Sequence, residues 1–299
     1  MPDIDKSLLK SLLGLASVVE LRDPYTGGHL WRVGQFSKLL AERVGMDAKG
    51  IFLAAIGGFL HDLGKIGVPD AILRKPDRLT EQEFAVIRSH PTMGAELLHD
   101  HPLAPLVLDA VLHHHERPDG TGYPDGLDGE RTTLVAHIVA IADAFDAMTS
   151  TRSYRRGMPA EKALTILLEE KGRQFNAVLV DEFVSLHRLD GRLEHVVGHS
   201  DHGQPLVDCP NCGPIIVVPR TRGDGDDVFC RNCGGLARLH RKEDGFEAVP
   251  LDAVADPGMM RPSPEVDVLD QFIDTVPPAR SSFFLGRIST MVTGRGGER

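Results

Sequence analysis

Along the first 190 residues apolar side chains recur at helical spacing and almost nowhere in steps of two. Leu8, Leu12, Leu15 and Val19 make one such face over 5–21, and Pro24 ends it. Thr26 stands where it can cap a second helix, with His29, Val33, Phe36 and Leu40 on one side and Gly45 at its end. Asp47 caps a third through Ile51, Phe52, Ala55 and Phe59, apolar nearly all round and therefore central. Pro69 and Pro76 mark a turn-rich crossing, after which Thr80 and Glu83 form a capping box opening a helix to His90. Further helices are expected near 91–99, from 104 to His115, from Thr133 through Phe145, and near 159–171 and 177–189. This is an all-α pattern with no credible sheet.

The pattern changes after Gly191. Short β-like runs appear at Ile215–Val218, Leu236–Arg241 and Phe246–Leu251, separated by Gly and Asp clusters. The expected organisation is a helical domain over 1–190, a linker over 191–204, a small β-rich module over 205–251 and a Pro/Gly-rich tail over 252–299. That tail reads as partly disordered, with weak helical patterning in Val266–Ile273 and Phe283–Met291. No internal repeat is visible.

Composition narrows the setting. A quarter of the residues are charged, and the net charge of -10 argues against broad attraction to nucleic acid or an anionic membrane. No apolar run is long enough to span a bilayer, and the N-terminus lacks the basic stretch of a signal peptide. The reading is cytoplasmic, without a membrane, and compatible with a homodimer.

Histidine is where the chemistry lies: nine of 14 fall between His29 and His137. His113, His114 and His115 end an apolar helical run, and the loop Glu116 to Pro124 follows at once. His61-Asp62 ends the most apolar helix, where ionisable groups are costly unless paired or metal-bound. His29 and Asp143 face inward by periodicity, and His90 sits at a helix boundary. Imidazole and carboxylate donors suit Mn, Fe or Zn, and a shared carboxylate such as Asp62 can bridge two ions. Two ions clamp the oxygens of an in-line phosphoryl displacement. Lys65 and Arg117 then read as cations beside a site for a phosphate ester or anhydride.

These residues resemble an HD-GYP domain, a branch of the HD metal-dependent phosphohydrolases. The likeness rests on Arg22-Asp23-Pro24-Tyr25-Thr26-Gly27-Gly28-His29, His61-Asp62-Leu63-Gly64-Lys65-Ile66-Gly67, His90-Pro91 and His114-His115-Glu116-Arg117-Pro118-Asp119-Gly120-Thr121-Gly122-Tyr123-Pro124. Ala142-Asp143-Ala144-Phe145-Asp146-Ala147-Met148-Thr149 and Thr151-Arg152-Ser153-Tyr154-Arg155 complete it, over about 7–190. The resemblance implies an all-α HD-type helical domain and hydrolysis of cyclic di-GMP to pGpG, which many members carry on to GMP. By position, His29, His61, Asp62 and Asp143 would hold one ion, Fe or Mn. Asp62 would bridge to a second held by His90, His114 and His115, and a water activated by both would be the nucleophile. Lys65 would steady the scissile phosphate, with Arg117, Arg152 and Arg155 as further substrate contacts. Asp146 would support the ligands from behind, and the Gly-Tyr-Pro loop would be a lip or a docking surface for a diguanylate cyclase or another signalling protein. Some members bind a third metal through a Glu four residues before the first ligand His. Here that position is Tyr25, so two metals are expected. Phe175-Asn176-Ala177 replaces Phe-Asp-Pro ahead of the last helix, a change of packing and capping. The competing readings are an HD-type hydrolase of another nucleotide such as (p)ppGpp, and a non-catalytic adaptor that binds nucleotide or a cyclase.

All four cysteines fall in Cys209-Pro-Asn-Cys212-Gly and Cys230-Arg-Asn-Cys233-Gly, with 17 residues between the pairs. That spacing is a four-thiolate structural zinc site, resembling a zinc ribbon, with glycines expected to bring N–H groups to the thiolates. Two disulfides or a single iron are the alternatives. Arg220, Arg222, Arg231, Arg238, Arg241 and Lys242 give the module a basic bias, read as solvated surface.

Overall fold

A computed structural model describes residues 4–22, 28–75, 77–150, 157–197, 199–201, 204–213, 215–219, 222–242, 245–259 and 266–275. Thr26, Tyr25, Arg152, Arg155, Arg220 and the Phe283–Met291 stretch lie outside these residues.

Among the described residues ten helices precede the β module, the expected ones together with a single-turn α4 in the crossing read as turn-rich: α1 (Lys6–Glu20), α2 (His29–Arg43), α3 (Ala48–Leu60), α4 (Asp70–Leu73), α5 (Glu81–Arg88), α6 (His90–Leu98), α7 (Ala104–His113), α8 (Leu134–Thr149), α9 (Ala160–Glu169) and α10 (Ala177–Arg188). Local chemistry sets several of their starts. Asp47 accepts from the Gly50 amide at 2.7 Å, Thr133 caps α8, and Thr80 with Glu83 closes the capping box of α5. Asn176 caps α10 by accepting from Val178 and Leu179, so the unusual Phe-Asn-Ala step keeps its capping function. A 3-10 turn over Leu63–Gly67 follows α3 directly.

Helices α2, α3 and α8 form the middle of one continuous hydrophobic core. Phe36 of α2, Phe145 of α8 and Phe183 of α10 meet edge to face, with ring centroids 5.0–6.1 Å apart. The core runs on through Leu193 and Val196, inside the stretch read from sequence as linker.

The β module holds two antiparallel three-stranded sheets, in the orders β1 (His199–Asp201), β2 (Gln204–Asp208), β3 (Ile215–Val217) and β4 (Asp227–Phe229), β5 (Gly235–Lys242), β6 (Gly245–Val254). The three strands read from sequence are present. β1, β2 and β4 were not foreseen, because three to five residues carry too little alternation to stand out.

Within the segment read as tail, α11 (Val266–Thr275) packs back onto the helical core. Phe272 lies 4.8 Å from the Phe59 ring and against Gly34. Leu269 and Phe272 are fully buried in the same core cluster, and Lys10 pairs with Asp270 at 2.6 Å. The sequence signal for this helix is weak because its partner face lies more than 200 residues away.

Candidate metal centre

The seven residues expected to bind metal converge at one end of the bundle. His29 opens α2 and His61-Asp62 close α3. His90 opens α6, His114 and His115 follow α7, and Asp143 sits mid-way along α8. Their candidate ligand atoms form three overlapping sets, His29-His61-Asp143, His61-Asp62-His114 and His90-His114-His115, each within 4.8 Å.

Asp62 joins the two halves. Its Oδ2 lies 3.4 Å from His29 Nε2 and 3.3 Å from His61 Nε2. Its Oδ1 lies 3.3 Å from His90 Nε2. Asp143 Oδ1 adds to the first half, 3.5 Å from His29 and 3.6 Å from His61.

The imidazoles are oriented from behind. His61 Nδ1 faces the Gly58 carbonyl at 2.7 Å, His90 Nδ1 that of Ile87 at 2.8 Å, and His114 Nδ1 those of Ala110 and Val111 at 3.0 Å. A carbonyl only accepts, so each Nδ1 donates, and in the neutral ring Nε2 keeps a bare lone pair. Yet His29 and His61 Nε2 approach to 3.3 Å, and His90 and His114 Nε2 to 3.2 Å. Two lone pairs at that distance repel unless a proton or a metal ion lies between them. The donor set therefore fits a metal. The buried carboxylates make the same demand for positive charge: against the effect of burial, Asp62 and Asp143 raise His61 to about 10. Burial instead lowers His90 to about 4 and His115 to about 3.

Residues behind the imidazoles support this set, Asp146 as expected and Arg32 unforeseen. Asp146 accepts from His29 Nδ1 at 2.7 Å and is held by the buried Arg32, whose Nε lies 2.5 Å from its Oδ1. Carboxylate backing of this kind fixes ring orientation and raises ligand basicity. Arg32 was missed because an arginine within an amphipathic helix reads as surface. Glu116, read as part of the lip, is buried and accepts from the Asp125 and Leu127 amides at 2.7 and 2.9 Å, so it shapes the loop from within. His113 is turned from the centre and bonded to Asp109 and Asp125. Tyr123 stacks on His115 at 4.7 Å, with the Arg88 guanidinium 4.5 Å from its centroid.

Both expected cations are already engaged. Lys65 Nζ lies 2.5 Å from Asp62 Oδ2, against the carboxylate that joins the two halves. The 3-10 turn places it there, and Gly64 is needed for the turn, since a Cβ would run into the His90 carbonyl and the Gly94 amide. Arg117 is tied bidentately to Asp119 at 3.2 and 2.9 Å, so it reaches the loop rather than the ligand cluster.

The four cysteines also meet. Cys209–Cys233, Cys209–Cys212 and Cys212–Cys230 Sγ atoms are 3.6–3.7 Å apart, and none is disulfide-bonded. Thiolates about 2.3 Å from a tetrahedral ion stand roughly 3.8 Å from each other. The amides facing Cys209 belong to Asn211 and Cys212, and those facing Cys230 to Asn232 and Cys233. Gly213 and Gly234 instead donate to the Cys209 and Cys230 carbonyls, taking the left-handed turn positions rather than the thiolate contacts expected of them.

A buried set of imidazoles and carboxylates at the helix ends of an all-α bundle defines a helical metal-binding domain. The chain belongs to the HD domain family, whose description matches residues 15–179, and its Gly122-Tyr123-Pro124 loop and flanking motifs are those of the HD-GYP branch. An HD domain implies divalent metal binding. The chain is 39% identical over 200 residues to "Cyclic di-GMP phosphodiesterase response regulator RpfG" of Xanthomonas campestris pv. campestris, covering 66% of this chain and 52% of that protein. It is 39% identical over 218 residues to "Cyclic di-GMP phosphodiesterase PA4108" of Pseudomonas aeruginosa, covering 69% and 52%. It is 38% identical over 170 residues to "3′3′-cGAMP-specific phosphodiesterase 3" of Vibrio cholerae, covering 56% and 36%. The chain thus spans about half the length, or less, of these relatives. No helix among the described residues is long and apolar enough to cross a membrane.

Proposed function

We propose that this protein hydrolyses cyclic di-GMP to linear pGpG at a centre of two divalent ions, Fe or Mn, in a cytoplasmic setting. The observation that carries the reading is Asp62, which turns one oxygen to the His29-His61 pair and the other to His90. The names of the relatives support the substrate.

When bound, two such ions supply Lewis acidity at a phosphoryl oxygen and lower the pKa of a water. His29, His61, Asp62 and Asp143 would hold one, and Asp62, His90, His114 and His115 the other. Water adds to phosphorus, one ring P–O bond breaks, and the leaving ribose oxygen takes the proton. Lys65 keeps its ammonium beside Asp62, where it offsets charge developing on the phosphate. Arg117 would reach substrate only by releasing Asp119. Arg152 and Arg155 complete the proposed phosphate and base contacts, and the Gly-Tyr-Pro loop the proposed docking lip for a diguanylate cyclase or other signalling protein. One structural zinc at Cys209, Cys212, Cys230 and Cys233 completes the cofactors.

The test is product analysis with purified Mn- or Fe-loaded protein on cyclic di-GMP, 3′3′-cGAMP, pGpG and (p)ppGpp, with elemental analysis alongside. Turnover of cyclic di-GMP to pGpG with two ions outside the cysteine site is expected. Preference for 3′3′-cGAMP or (p)ppGpp overturns the substrate, a third ion overturns the metal count, and full occupancy without turnover leaves the adaptor.

A further inference from the structure

Arg22, part of the motif that precedes His29, has no role in the chemistry above. Its side chain reaches across the end of α1 to the segment that carries Lys65. Nη1 donates to the Lys65 carbonyl at 3.1 Å and the Ile66 carbonyl at 2.7 Å. Nη2 donates to the Val68 carbonyl at 2.8 Å and to Asp70 Oδ1 at 2.7 Å, and Nε to the same Asp70 oxygen at 3.1 Å. One guanidinium therefore ties the Lys65, Ile66 and Val68 carbonyls to Asp70, the first residue of α4. Its planar fork makes these bonds together, which an ammonium cannot do.

Among the described residues, the outer side of this segment is otherwise lightly held. Ile66 is exposed, Gly67 has no side chain and α4 is a single turn with no buried residue. Val68 is buried, and Gly64 is pressed against the start of α6, so the turn is anchored on its inner side. Arg22 closes the outer side. Between those two anchors sits Lys65, whose ammonium touches the carboxylate shared by both halves of the centre.

We propose that Arg22 is a positioning residue that holds Lys65 over the phosphate site by clamping the backbone of its turn. The inference rests on the phosphodiesterase reading. Misplacement of a catalytic group by an ångström costs on the order of 10²-fold in rate. Arg22 contacts none of the metal ligands, so its loss acts on rate and leaves the ions in place.

The test uses the full chain loaded with Mn, assayed on cyclic di-GMP and on bis(p-nitrophenyl) phosphate as a generic diester. Arg22→Ala is expected to lose about 10²-fold in kcat with KM within about threefold, and with unchanged metal content. Combined with Lys65→Ala it should be no slower than Lys65→Ala alone, since a residue acting through Lys65 has nothing left to position. Asp70→Asn, which keeps the three backbone bonds, should lose less. Arg43→Ala, which removes a comparable pair of ion pairs to Glu182 and Asp190, should keep full turnover. Additive losses in the double variant, a change confined to KM, or loss of the ions would each overturn the proposal. If Arg22→Ala does not fold, wild-type rates in Asp70→Asn overturn it instead. Hydrolysis of the generic diester without any cyclic dinucleotide would sink the substrate assignment, while the Arg22–Lys65 cycle is still read on the diester.

Discussion

The helical centre and the cysteine cluster gather their candidate ligands in opposite ways. In the helical domain the ligands come from five helices and are separated by up to 114 residues, from His29 to Asp143. They are held by a large apolar core in which Phe36, Phe145, Phe183 and their neighbours are fully buried against each other. In the cysteine module the candidate ligands come from two short turns, and among the described residues the core beneath them is eight buried residues, of which two are cysteines. A large core can present ligands and leave coordination positions for a substrate. A small one uses its metal to fold. The same difference appears in the second layer: helix carbonyls and Asp146 orient the imidazoles, whereas backbone amides of the turns themselves face the thiolates.

The largest effect that would break this comparison is at the cysteines. Structural zinc in small modules carries about 10–16 kcal/mol of apparent binding free energy. Cys230→Ser should therefore abolish amide-exchange protection in β4–β6 while α2, α3 and α8 stay protected; a protected, metal-free β module would refute the distinction. Next, His61→Ala with Asp62→Ala should remove both ions of the helical centre and lower turnover at least 10³-fold, the scale of losing an essential electrostatic group. One metal per chain should remain at the cysteines by elemental analysis, and its loss would mean the sites are coupled.

Phe272→Ala probes how far the helical core extends beyond the β module. Truncating a buried Phe costs about 3–5 kcal/mol, so thermal unfolding of the helical domain should shift downward. An unchanged midpoint would detach α11 from the core. The smallest effect is at the second layer: Asp146→Asn should weaken metal binding in the helical centre by about 10–100-fold, read by chelator competition. Cysteine-bound metal should be unaffected, and equal weakening at both sites would contradict the assignment of Asp146 to His29.

Much of the fold and the site was legible because the signals are local. Capping residues Asp47, Thr80, Thr133 and Asn176 each act within three residues, so their helices start where the sequence places them. The convergence of His29, His61, Asp62, His90, His114, His115 and Asp143 followed from inward periodicity and from motif order. The buried contacts of Arg32 and Glu116 and the carbonyl contacts of Arg22 were not legible. A charged side chain in a sequence looks the same whether it faces water, a buried carboxylate or a row of carbonyls.

By itself, then, the sequence determined the longer helices of the bundle, the candidate ligand chemistry and the pairing of Cys209-Cys212 with Cys230-Cys233, because each depends on residue type at short spacing. Only the tertiary structure decided that Asp62 points one oxygen into each half of the centre, that Arg117 is spent on Asp119, and that α11 returns to the core. These depend on which distant surfaces meet, and a local pattern carries the ability to meet without naming the partner.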